Sequence, residues 1–380
     1  MKRRDAGSIR ERSKGRWEIR VELGQGPNGE RKRKIVQFRG NKTEANKKLR
    51  ELLTSLDKGI PVSTKKITLG QWLSKWMAEY IVPNKRQKTI ERYEGLIQKH
   101  IIPDLGSLEL TKLTPSEIRT LEAKLTTEGM APKGVELVHT VISGAYKFAL
   151  QEDLVWRNPA KSVTPPKVVR KDVEPPEISK VKEILQLAEQ ERHSLYPCLY
   201  LMAHTGLRRG EALGLRHQDM NLEVGLISVV QTVGRSLHKG IIIEPTKTTY
   251  SRRIVDLDDD TVAVLRAHIG KQLLHRMELD GAYEDNGLVF PDALGKPLNP
   301  MTLTRAFQSF AKRLGLTGAK LHDLRHFHAS VMLQNGQSLL LVSKRLGHAS
   351  IATTGDIYGH LLPGWQKEAA NAFAKAMREG

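Results

Sequence analysis

The first sixty residues combine strand-like alternation with one amphipathic helix. Apolar residues recur at every second position within residues 7–23, and this period of two is typical of strands that bury one face. A loop with an Asn-Gly pair precedes a third strand from Arg31 to Phe38. Asn41 and Glu44 then form a capping-box pattern before a leucine-rich helix. We expect a small domain in residues 1–60, in which one helix covers one face of a three-stranded sheet.

Residues 66–160 show only helical periodicity. Apolar residues recur three and four positions apart in residues 69–80 and again in residues 90–101. A capped helix start follows at Thr114, and a long helix is predicted over residues 132–152. We therefore expect an all-helical domain whose aromatic side chains form its core.

The chain changes character after residue 160. Residues 161–176 contain two Pro-Pro pairs and no apolar period, which is typical of an extended, fairly stiff linker. The later pattern predicts helices at 177–191, 194–205 and 208–216, strands around Leu226–Val233, Ile241–Glu244 and Arg252–Leu257, and mainly helices after Asp258. We expect a third domain over residues 177–380, mainly α with a mixed α+β part, in a multidomain protein.

The chain is strongly basic, with 61 Lys and Arg against 42 Asp and Glu and a formal net charge of +19. Residues 1–60 alone contain 18 basic and 8 acidic side chains. This concentration favours nucleic acid over an anionic membrane surface as the partner. A basic sheet face can lie in a DNA groove, although a solvated hairpin is the alternative. The candidate DNA-binding residues are Arg31, Lys32, Arg33 and Lys34 in the first domain and Lys85, Arg86 and Lys88 in the second.

The remaining composition indicates a soluble globular protein in a reducing setting. No apolar run approaches the ~18 residues of a membrane-spanning helix, and no signal-peptide pattern follows Met1. The single cysteine, Cys198, rules out an intrachain disulfide and gives no metal cluster. We expect a cytoplasmic protein, associated with the bacterial nucleoid.

Two arginine motifs and one lysine suggest phosphate chemistry. Arg208 follows a glycine turn at a helix start, and Glu211 lies one turn further, where it can hold the guanidinium. A surface ion pair is the alternative reading of these two residues. Lys247 lies near a predicted hairpin tip. On a helix, His322 and Arg325 would share one face.

The segment from Lys320 to His360 concentrates the remaining candidates, since it also contains His348 and Tyr358. His322 and His326 have the spacing of a helical zinc pair. Asp323, where such sites carry a glutamate, departs from that pattern, and no third ligand cluster follows. We therefore prefer phosphate chemistry and interpret His326 and His328 as packing or support residues.

Six motifs together resemble the tyrosine recombinases, and most of all the phage-type and mobile-element integrases. They are TGLRRGEALGL with Arg208 and Glu211, TKTTYSRR with Lys247, HDLR at 322–325, LGHAS at 346–350, TTGDIYGH at 353–360, and the helical segment with IIPDLGSLELTKLTPSEI that ends in Asn158 to Ala160. The resemblance covers nearly the whole chain. It implies an arm-type DNA-binding domain in residues 1–60, a core-binding domain in 66–160 and a catalytic domain in 177–380.

The resemblance also implies a mechanism. Tyr358 would attack a DNA phosphodiester to give a 3′-phosphotyrosine, while Arg208 and Arg325 stabilise the charge on the phosphate. Lys247 would protonate the leaving 5′ oxygen. His322 would assist proton transfer at the nucleophile, and His348 would bond to a non-bridging oxygen. Glu211 would hold the guanidinium of Arg208. The reaction would need no metal or other cofactor. The partners would be double-stranded attachment sites, three further copies in a tetramer on DNA, an excisionase and a host DNA-bending protein.

Some features leave alternatives open. A type IB topoisomerase-like enzyme shares the chemistry, and a DNA-binding regulator without catalysis would share the fold. A zinc hydrolase is a further alternative.

Two residues depart from the pattern of the family. Gly355 stands where relatives carry a larger apolar residue, and Phe327 stands where they carry a small polar one. We therefore expect Gly355 to loosen the segment of Tyr358. The tail after Pro363 predicts a helix with Trp365, Ala369, Phe373 and Met377 on one stripe, which could dock on a neighbouring protomer or pack on its own domain.

Overall fold

The structure, a computed structural model, describes residues 7–25, 31–57, 67–168, 176–246, 251–359 and 365–379. The chain divides into two compact units, Met1–Val169 and Arg170–Gly380. In the described part, no helix is both long and apolar enough to cross a membrane.

The first unit begins with an antiparallel sheet of order β1-β2-β3. Its elements are β1 (Gly7–Ser13), β2 (Arg16–Gln25), β3 (Arg31–Arg39) and the helix α1 (Lys42–Asp57). The Ile19 and Val21 side chains pack against Leu52 of α1, so the helix covers one face of the sheet, as expected. The Asn41 side chain accepts from the Glu44 backbone N–H at 2.9 Å, and Glu44 accepts from the Asn41 N–H at the same distance.

The other face of this sheet is polar and mainly basic. Arg12 and Arg20 both donate to the Glu18 carboxylate, at 2.8 and 2.7 Å. These hydrogen bonds, first that from Arg12, lower the pKa of Glu18. Arg10 pairs with Glu18 across the strands and is exposed, as is Arg33. Arginines of β1 and β2 therefore extend the basic surface beyond the predicted run in β3.

An all-helical part follows. Its helices are α2 (Leu69–Trp76), α3 (Val82–Asn84), α4 (Gln87–Leu96), α5 (Ile102–Leu105), α6 (Pro115–Thr127) and α7 (Pro132–Gln151), and π-helical turns at Met77–Ile81 and Ile97–Ile101 join α2 to α3 and α4 to α5. A short 3₁₀ helix, Leu110–Lys112, precedes α6. Trp72 is fully buried, and its indole N–H donates to Ala145 O at 3.0 Å. The predicted capping box at Thr114 is present at the start of α6.

Two details differ from the expectation for this part. Tyr80, in the π-helical turn, is 41% exposed and not buried like Trp72 and Trp76, although its ring contacts Phe148 with 5.0 Å between centroids. Val163 is buried in the helical core, beyond a 3₁₀ turn at Pro159–Ser162. The packed domain therefore extends into the first residues of the predicted linker.

The second unit is mainly helical and contains a small sheet and a hairpin. Its helices are α8 (Ile178–Gln190), α9 (Tyr196–Thr205), α10 (Arg209–Leu213), α11 (Asp259–Leu279), α12 (Pro300–Arg313), α13 (Asp323–Gln334), α14 (Leu339–Leu346), α15 (Ile351–Tyr358) and α16 (Trp365–Glu379). Short 3₁₀ turns lie at His217–Asp219 and Asp280–Ala282. The strands β4 (Met220–Asn221), β5 (Leu226–Val229) and β8 (Arg253–Asp256) form one sheet, and β6 (Gln231–Ser236) pairs with β7 (Gly240–Pro245).

Two predicted elements of this unit are shorter than expected. The strand predicted over Leu226–Val233 breaks at Val230, and its halves belong to different sheets. The helix predicted to residue 216 ends at Leu213. Beyond it, the Gly214 carbonyl oxygen accepts from Gln231 Nε2 at 2.9 Å, and a Cβ at Gly214 would lie 3.0 Å from the Gln231 carbonyl oxygen.

Candidate active site

A left-handed glycine turn presents Arg208. α9 ends at Thr205, and Gly206 follows with φ of +67°. A Cβ at Gly206 would lie 2.7 Å from a Leu346 atom and 2.8 Å from a His328 atom. Both the backbone angle and the packing therefore require glycine. The chain then enters α10 with Arg208 in the N-cap position.

Glu211 holds Arg208 in place. Its carboxylate accepts from the Arg208 backbone N–H at 2.9 Å and from Nη1 at 2.8 Å, and Arg253 Nη2 donates to it at 3.0 Å. Burial acts to raise the pKa of Glu211, but the two guanidiniums outweigh it and hold the pKa below its ordinary value. Glu211 is only 5% exposed. A surface ion pair is therefore not the correct description, because a buried, ionised carboxylate fixes two guanidiniums.

Arg325 is buried, with 2% of its surface exposed. Its Nη1 donates to Gly206 O and its Nη2 to Leu346 O, both at 2.7 Å. Burial, followed by the nearby Arg208 guanidinium, lowers the pKa of Arg325. The two guanidiniums thus repel one another, and an anion that contacts both would relieve that repulsion.

The turn after α14 connects both arginines. Gly347 ends the helix with φ of +68°. Its carbonyl oxygen accepts from Arg208 Nη2 at 3.3 Å, while the carbonyl oxygen of Leu346 accepts from Arg325. The predicted LGHAS motif therefore positions the two guanidiniums through its backbone.

Two histidines border the arginines. His348 Nδ1 bonds to Thr354 Oγ1 at 2.8 Å, and burial, followed by Arg325, lowers its pKa to about 4. The ring of His322 lies edge-on to that of His326, with 4.9 Å between centroids. Partial burial, followed by His326, lowers the pKa of His322 to about 4. Both His322 and His348 are therefore neutral at pH 7.

Tyr358 is the last residue of α15 and is 1% exposed. Its ring packs in a cluster with Leu333 of α13 and Leu346 of α14. The hydroxyl oxygen lies 2.8 Å from His326 Nδ1. Burial raises the pKa of Tyr358 to about 12, although Arg325 acts in the opposite direction.

The structure brings together five of the six predicted catalytic residues. Arg208 and Arg325 both lower the pKa values of His322 and His348, and Arg325 acts on Tyr358. These five side chains therefore share one electrostatic environment. Lys247 lies outside the described residues, in the connection between Pro245 at the end of β7 and Arg253 at the start of β8.

Sequence reasoning missed two residues of this site. His326, interpreted from the sequence as a packing or support residue, bonds to the hydroxyl of Tyr358 at 2.8 Å and so lies in a supporting position. Arg253 shares Glu211 with Arg208 and donates to Arg345 O at 2.6 Å. Two features of the sequence could have identified them. His326 lies four residues after His322, and Arg253 ends the TKTTYSRR motif.

The zinc-pair alternative finds no support in this geometry. His326 directs Nδ1 at Tyr358. In the part of the chain that the structure describes, no group of three His, Cys, Asp or Glu side chains is placed to hold a metal ion.

The predicted DNA-binding residues lie on the first unit. Arg33 is exposed in β3, and the side chains of Arg31, Lys32 and Lys34 lie outside the described ones. Lys85 and Lys88 are exposed around the start of α4, where Arg86 is the N-cap residue. The exposed members of both runs can reach a phosphate backbone.

The chain matches known proteins along nearly its whole length. Residues 177–364 match the phage integrase family, and residues 68–125 match the N-terminal SAM-like domain of phage integrases. An integrase of Streptomyces ambofaciens is 31% identical over 373 residues, covering 94% of this chain and 92% of that protein. The chain belongs to the phage integrase family.

Further relatives agree with this membership. A XerC-like tyrosine recombinase of Caldanaerobacter subterraneus subsp. tengcongensis is 27% identical and covers 94% of both chains. The ICEBs1 integrase of Bacillus subtilis is 26% identical, covering 96% of this chain and 98% of that protein. The resemblance stated from the motifs is confirmed: this phage integrase family member is a site-specific DNA recombinase. The relatives do not favour the topoisomerase-like or regulatory alternatives.

Solved structures share the fold. The integrase of the Tn1549 transposon, in complex with transposon right end DNA, superposes with a TM-score of 0.68 at 18% identity, covering 81% of this chain and 100% of that one. A lambda integrase tetramer bound to a Holliday junction gives a TM-score of 0.58 at 21% identity, covering 94% and 96%. The expected fold class, with its small amino-terminal sheet, helical part and mixed catalytic part, is confirmed.

Proposed function

We propose that this integrase cuts and rejoins DNA by transesterification at Tyr358. The Tyr358 oxygen attacks a phosphorus atom, a 3′-phosphotyrosine forms, and a 5′-hydroxyl leaves. A new 5′-hydroxyl then reverses the step. Because the covalent link retains the phosphodiester energy, strand exchange needs no high-energy cofactor. The observation that carries the proposal is that the turn after α14 holds both Arg208 and Arg325, and that Arg325 acts to lower the pKa of Tyr358.

The two arginines stabilise the charge that develops on the phosphate. Glu211 orients Arg208, and the carbonyl oxygens of Gly206 and Leu346 orient Arg325. Guanidiniums held before the reaction need no reorganisation when the pentacoordinate phosphorus forms, which is the main source of electrostatic catalysis. Loss of a phosphate-stabilising arginine costs about 10³–10⁵ in rate in related chemistry. We assign this role to both residues and propose that the reaction needs no metal ion.

Three further residues donate hydrogen bonds or transfer protons during the reaction. In the tautomer with its proton on Nε2, His348 accepts from Thr354 through Nδ1, and its Nε2–H can donate to a non-bridging oxygen. Lys247 protonates the leaving 5′ oxygen. His322 completes the proton pathway around the nucleophile.

We assign the DNA contacts to three parts of the chain. Residues 1–60 bind arm-type sites through the open face of the sheet, where Arg10, Arg20 and Arg33 lie, and through the rest of the Arg31–Lys34 run. Residues 66–160 bind the core site, with Lys85, Arg86 and Lys88 at the phosphate backbone. Residues 177–380 carry out catalysis, and residues 161–176 link the domains. Phosphate contacts of this kind set position and affinity, while base contacts set the sequence.

We further propose that the protein acts as a tetramer on DNA together with other proteins. Four copies exchange strands on two paired sites, and the lambda integrase tetramer on a Holliday junction supports this arrangement. An excisionase and a host DNA-bending protein set the direction between integration and excision of the mobile element. The protein works at the chromosome in the bacterial cytoplasm.

Covalent trapping tests the proposal. The full chain is incubated in EDTA with a pool of nicked duplexes that carry a randomised region. The nick lets a short 5′-hydroxyl strand diffuse away, so religation stops and a DNA adduct accumulates on a denaturing gel. We expect an adduct with the wild type and none with Tyr358→Phe, which should retain wild-type affinity in a band shift.

Two outcomes would contradict the proposal. An adduct that survives in Tyr358→Phe would remove Tyr358 as the nucleophile. An adduct that forms without EDTA but not with it would overturn the metal-free mechanism.

A further inference from the structure

We infer that His326, and not His322, accepts the proton of Tyr358 during attack on the phosphate. The inference rests on the proposed function, because it assigns a base for the same nucleophile. It starts from the 2.8 Å contact between His326 Nδ1 and the Tyr358 hydroxyl.

The direction of this hydrogen bond follows from burial. Tyr358 is 1% exposed, and among the described residues its hydroxyl bonds to His326 Nδ1. A buried hydroxyl must direct its hydrogen at an acceptor. The arrangement that achieves this has the proton of His326 on Nε2 and the lone pair of Nδ1 facing the tyrosine. This neutral tautomer is the form that a general base requires.

Packing keeps the two side chains together. His326 lies on α13 and Tyr358 ends α15, and both helices contribute to one apolar cluster that includes Ala329 and Leu333 of α13. On α13, the Ser330 hydroxyl donates to the His326 carbonyl oxygen at 2.8 Å. The edge of the His322 ring meets the His326 ring from the same helix. These contacts place His326 and Tyr358 in one packed region of the protein.

The proposed step transfers two protons and exchanges one oxygen at phosphorus for another. The Tyr358 O–H bond breaks, its proton forms an N–H bond at His326 Nδ1, and the phenolate oxygen forms a bond to phosphorus. The bond from phosphorus to the 5′ oxygen breaks, and that oxygen takes a proton from Lys247. Religation runs backward: the incoming 5′-hydroxyl gives its proton to Lys247, and the leaving tyrosine recovers the proton from His326.

The charges around His326 favour its neutral form. On α13 it faces His322, Asp323 and Arg325, and on α15 it faces Tyr358. Burial is the largest influence and lowers the pKa of His326, Arg325 lowers it further, and Asp323 acts to raise it. Because the pKa lies below the ordinary 6.5, the base is neutral at pH 7 and becomes protonated, and inactive, in acid.

The variant His326→Asn distinguishes two roles of His326, that of a general base and that of a residue that only positions the tyrosine. An asparagine oxygen can occupy the place of Nδ1 and accept the same hydrogen bond, but it cannot take the proton. We expect adduct formation on the nicked duplex to slow by about 10²–10⁴-fold, the usual contribution of a general base. The matched control is His275→Asn, since His275 lies on α11 with 46% of its side chain exposed.

Two further readouts exclude a merely structural effect. A ring-fluorinated tyrosine at position 358, whose hydroxyl is more acidic, should restore part of the rate of His326→Asn, because a more acidic hydroxyl depends less on a base. At DNA concentrations below saturation, the wild-type rate should fall as the pH falls below 6.5, whereas His326→Asn should lack this dependence on the free enzyme's base. Thermal unfolding confirms that the variant is folded, and His326→Gln replaces it if it is not.

The outcomes separate this inference from the proposed function. Wild-type protein that forms no adduct would refute the proposed function itself. If the wild type forms the adduct and His326→Asn forms it at the same rate, the function stands and the assignment of His326 falls. The assignment also falls if fluorinated tyrosine fails to restore the variant.

Discussion

At the scale of single residues, His328 is held neutral beside the Gly206 turn. Its Nδ1–H donates to Ala203 O at 3.2 Å, and Arg345 Nε donates to its Nε2 at 3.1 Å. A proton on Nε2 would place a second positive charge against Arg345. Burial, followed by Arg345, accordingly lowers the pKa of His328 to about 3. The active-site structure therefore depends on histidines that stay neutral.

We predict that the catalytic unit loses stability in acid. Between pH 6.5 and about 4, an unfolded chain binds protons that the folded His328 and His348 do not bind. The free energy of unfolding is thus fully present above pH 6.5 and falls as the pH falls through this window. The buried His328 contributes on the order of 1 kcal/mol per pH unit, and the half-buried His348 contributes less because solvent screens its charge. The measurement is the thermal unfolding temperature across this range.

A matched pair of variants assigns the effect. His328→Gln should make the pH dependence shallower, whereas the same change at the exposed His275 should leave it as in the wild type. An unfolding temperature that stays constant between pH 6.5 and 4 would contradict the prediction.

Sequence alone predicted the residues of the site better than their contacts. Arg208, Arg325, His348 and Tyr358 lie in short motifs with fixed spacing, so the resemblance located them directly. The bond from His326 to Tyr358 joins residues 32 apart. It depends on how α13 and α15 pack, which spacing along one helix does not specify.

At the scale of elements, α15 is a regular helix with Tyr358 at its end. Gly355 lies within it, and the Gly359 N–H donates to the Gly355 carbonyl oxygen. Among the described residues, no atom outside the neighbouring backbone lies within 4 Å of a Cβ placed at Gly355. The expected loosening of this segment is therefore not visible in its helical geometry.

We predict that Gly355→Ala stabilises α15 without slowing catalysis. Alanine gains about 0.5–1 kcal/mol over glycine inside a helix, and each kcal/mol raises the unfolding temperature of a unit of this size by about 2–4 °C. The adduct should form at the wild-type rate, because Tyr358 already bonds to its proposed base. Unfolding and trapping measure the two effects. A more stable but much slower variant would show instead that α15 must unwind.

The sheet of the first domain yields a second prediction at this scale. Removing the charges of Arg31–Lys34, or of Arg10 and Arg33 together, should weaken binding to arm-type sites. The slope of log K for binding against log salt concentration should become shallower by about 0.9 for each DNA phosphate that the variant no longer neutralises. Band shifts over a series of salt concentrations measure both effects.

The control removes equal charge from the opposite side of this domain. Lys47→Ala with Arg50→Ala changes two exposed residues on α1. If this pair weakens binding as much as the change at Arg10 and Arg33, net charge alone would account for the effect. Unchanged binding in the sheet variants would remove the assignment of the sheet to DNA.

At the scale of the whole molecule, α16 carries two exposed apolar side chains among those that the structure describes. Phe373 and Met377 are 69% and 70% exposed, and their spacing of four places them on one side of the helix. Exposed apolar side chains of this kind mark contact surfaces. We expect this face of α16 to dock on another protomer of the proposed tetramer.

We predict that Phe373→Ser with Met377→Ser leaves the single chain intact but prevents assembly. The unfolding temperature and the adduct on a nicked duplex should match the wild type, because both side chains are exposed in the single chain. Tetramers on DNA, measured by size-exclusion chromatography with light scattering, and exchange between two duplexes should be lost. A large fall in the unfolding temperature would show that α16 packs on its own domain.

Domain organisation followed from local signals only in part. The proline pairs indicated a linker, but they could not show that Val163 packs into the helical core, because a single valine carries no periodic signal. The strand break at Val230 was missed for a related reason. A continuous apolar run does not reveal which sheet each half joins.

The site of covalent attachment tests the central claim most directly. The adduct trapped on a nicked duplex is digested with protease and nuclease, and the remaining peptide is sequenced by mass spectrometry. The account predicts one modified residue, Tyr358, joined to the 3′ phosphate of the cleaved strand. Attachment through another residue, or through a 5′ phosphate, would contradict it.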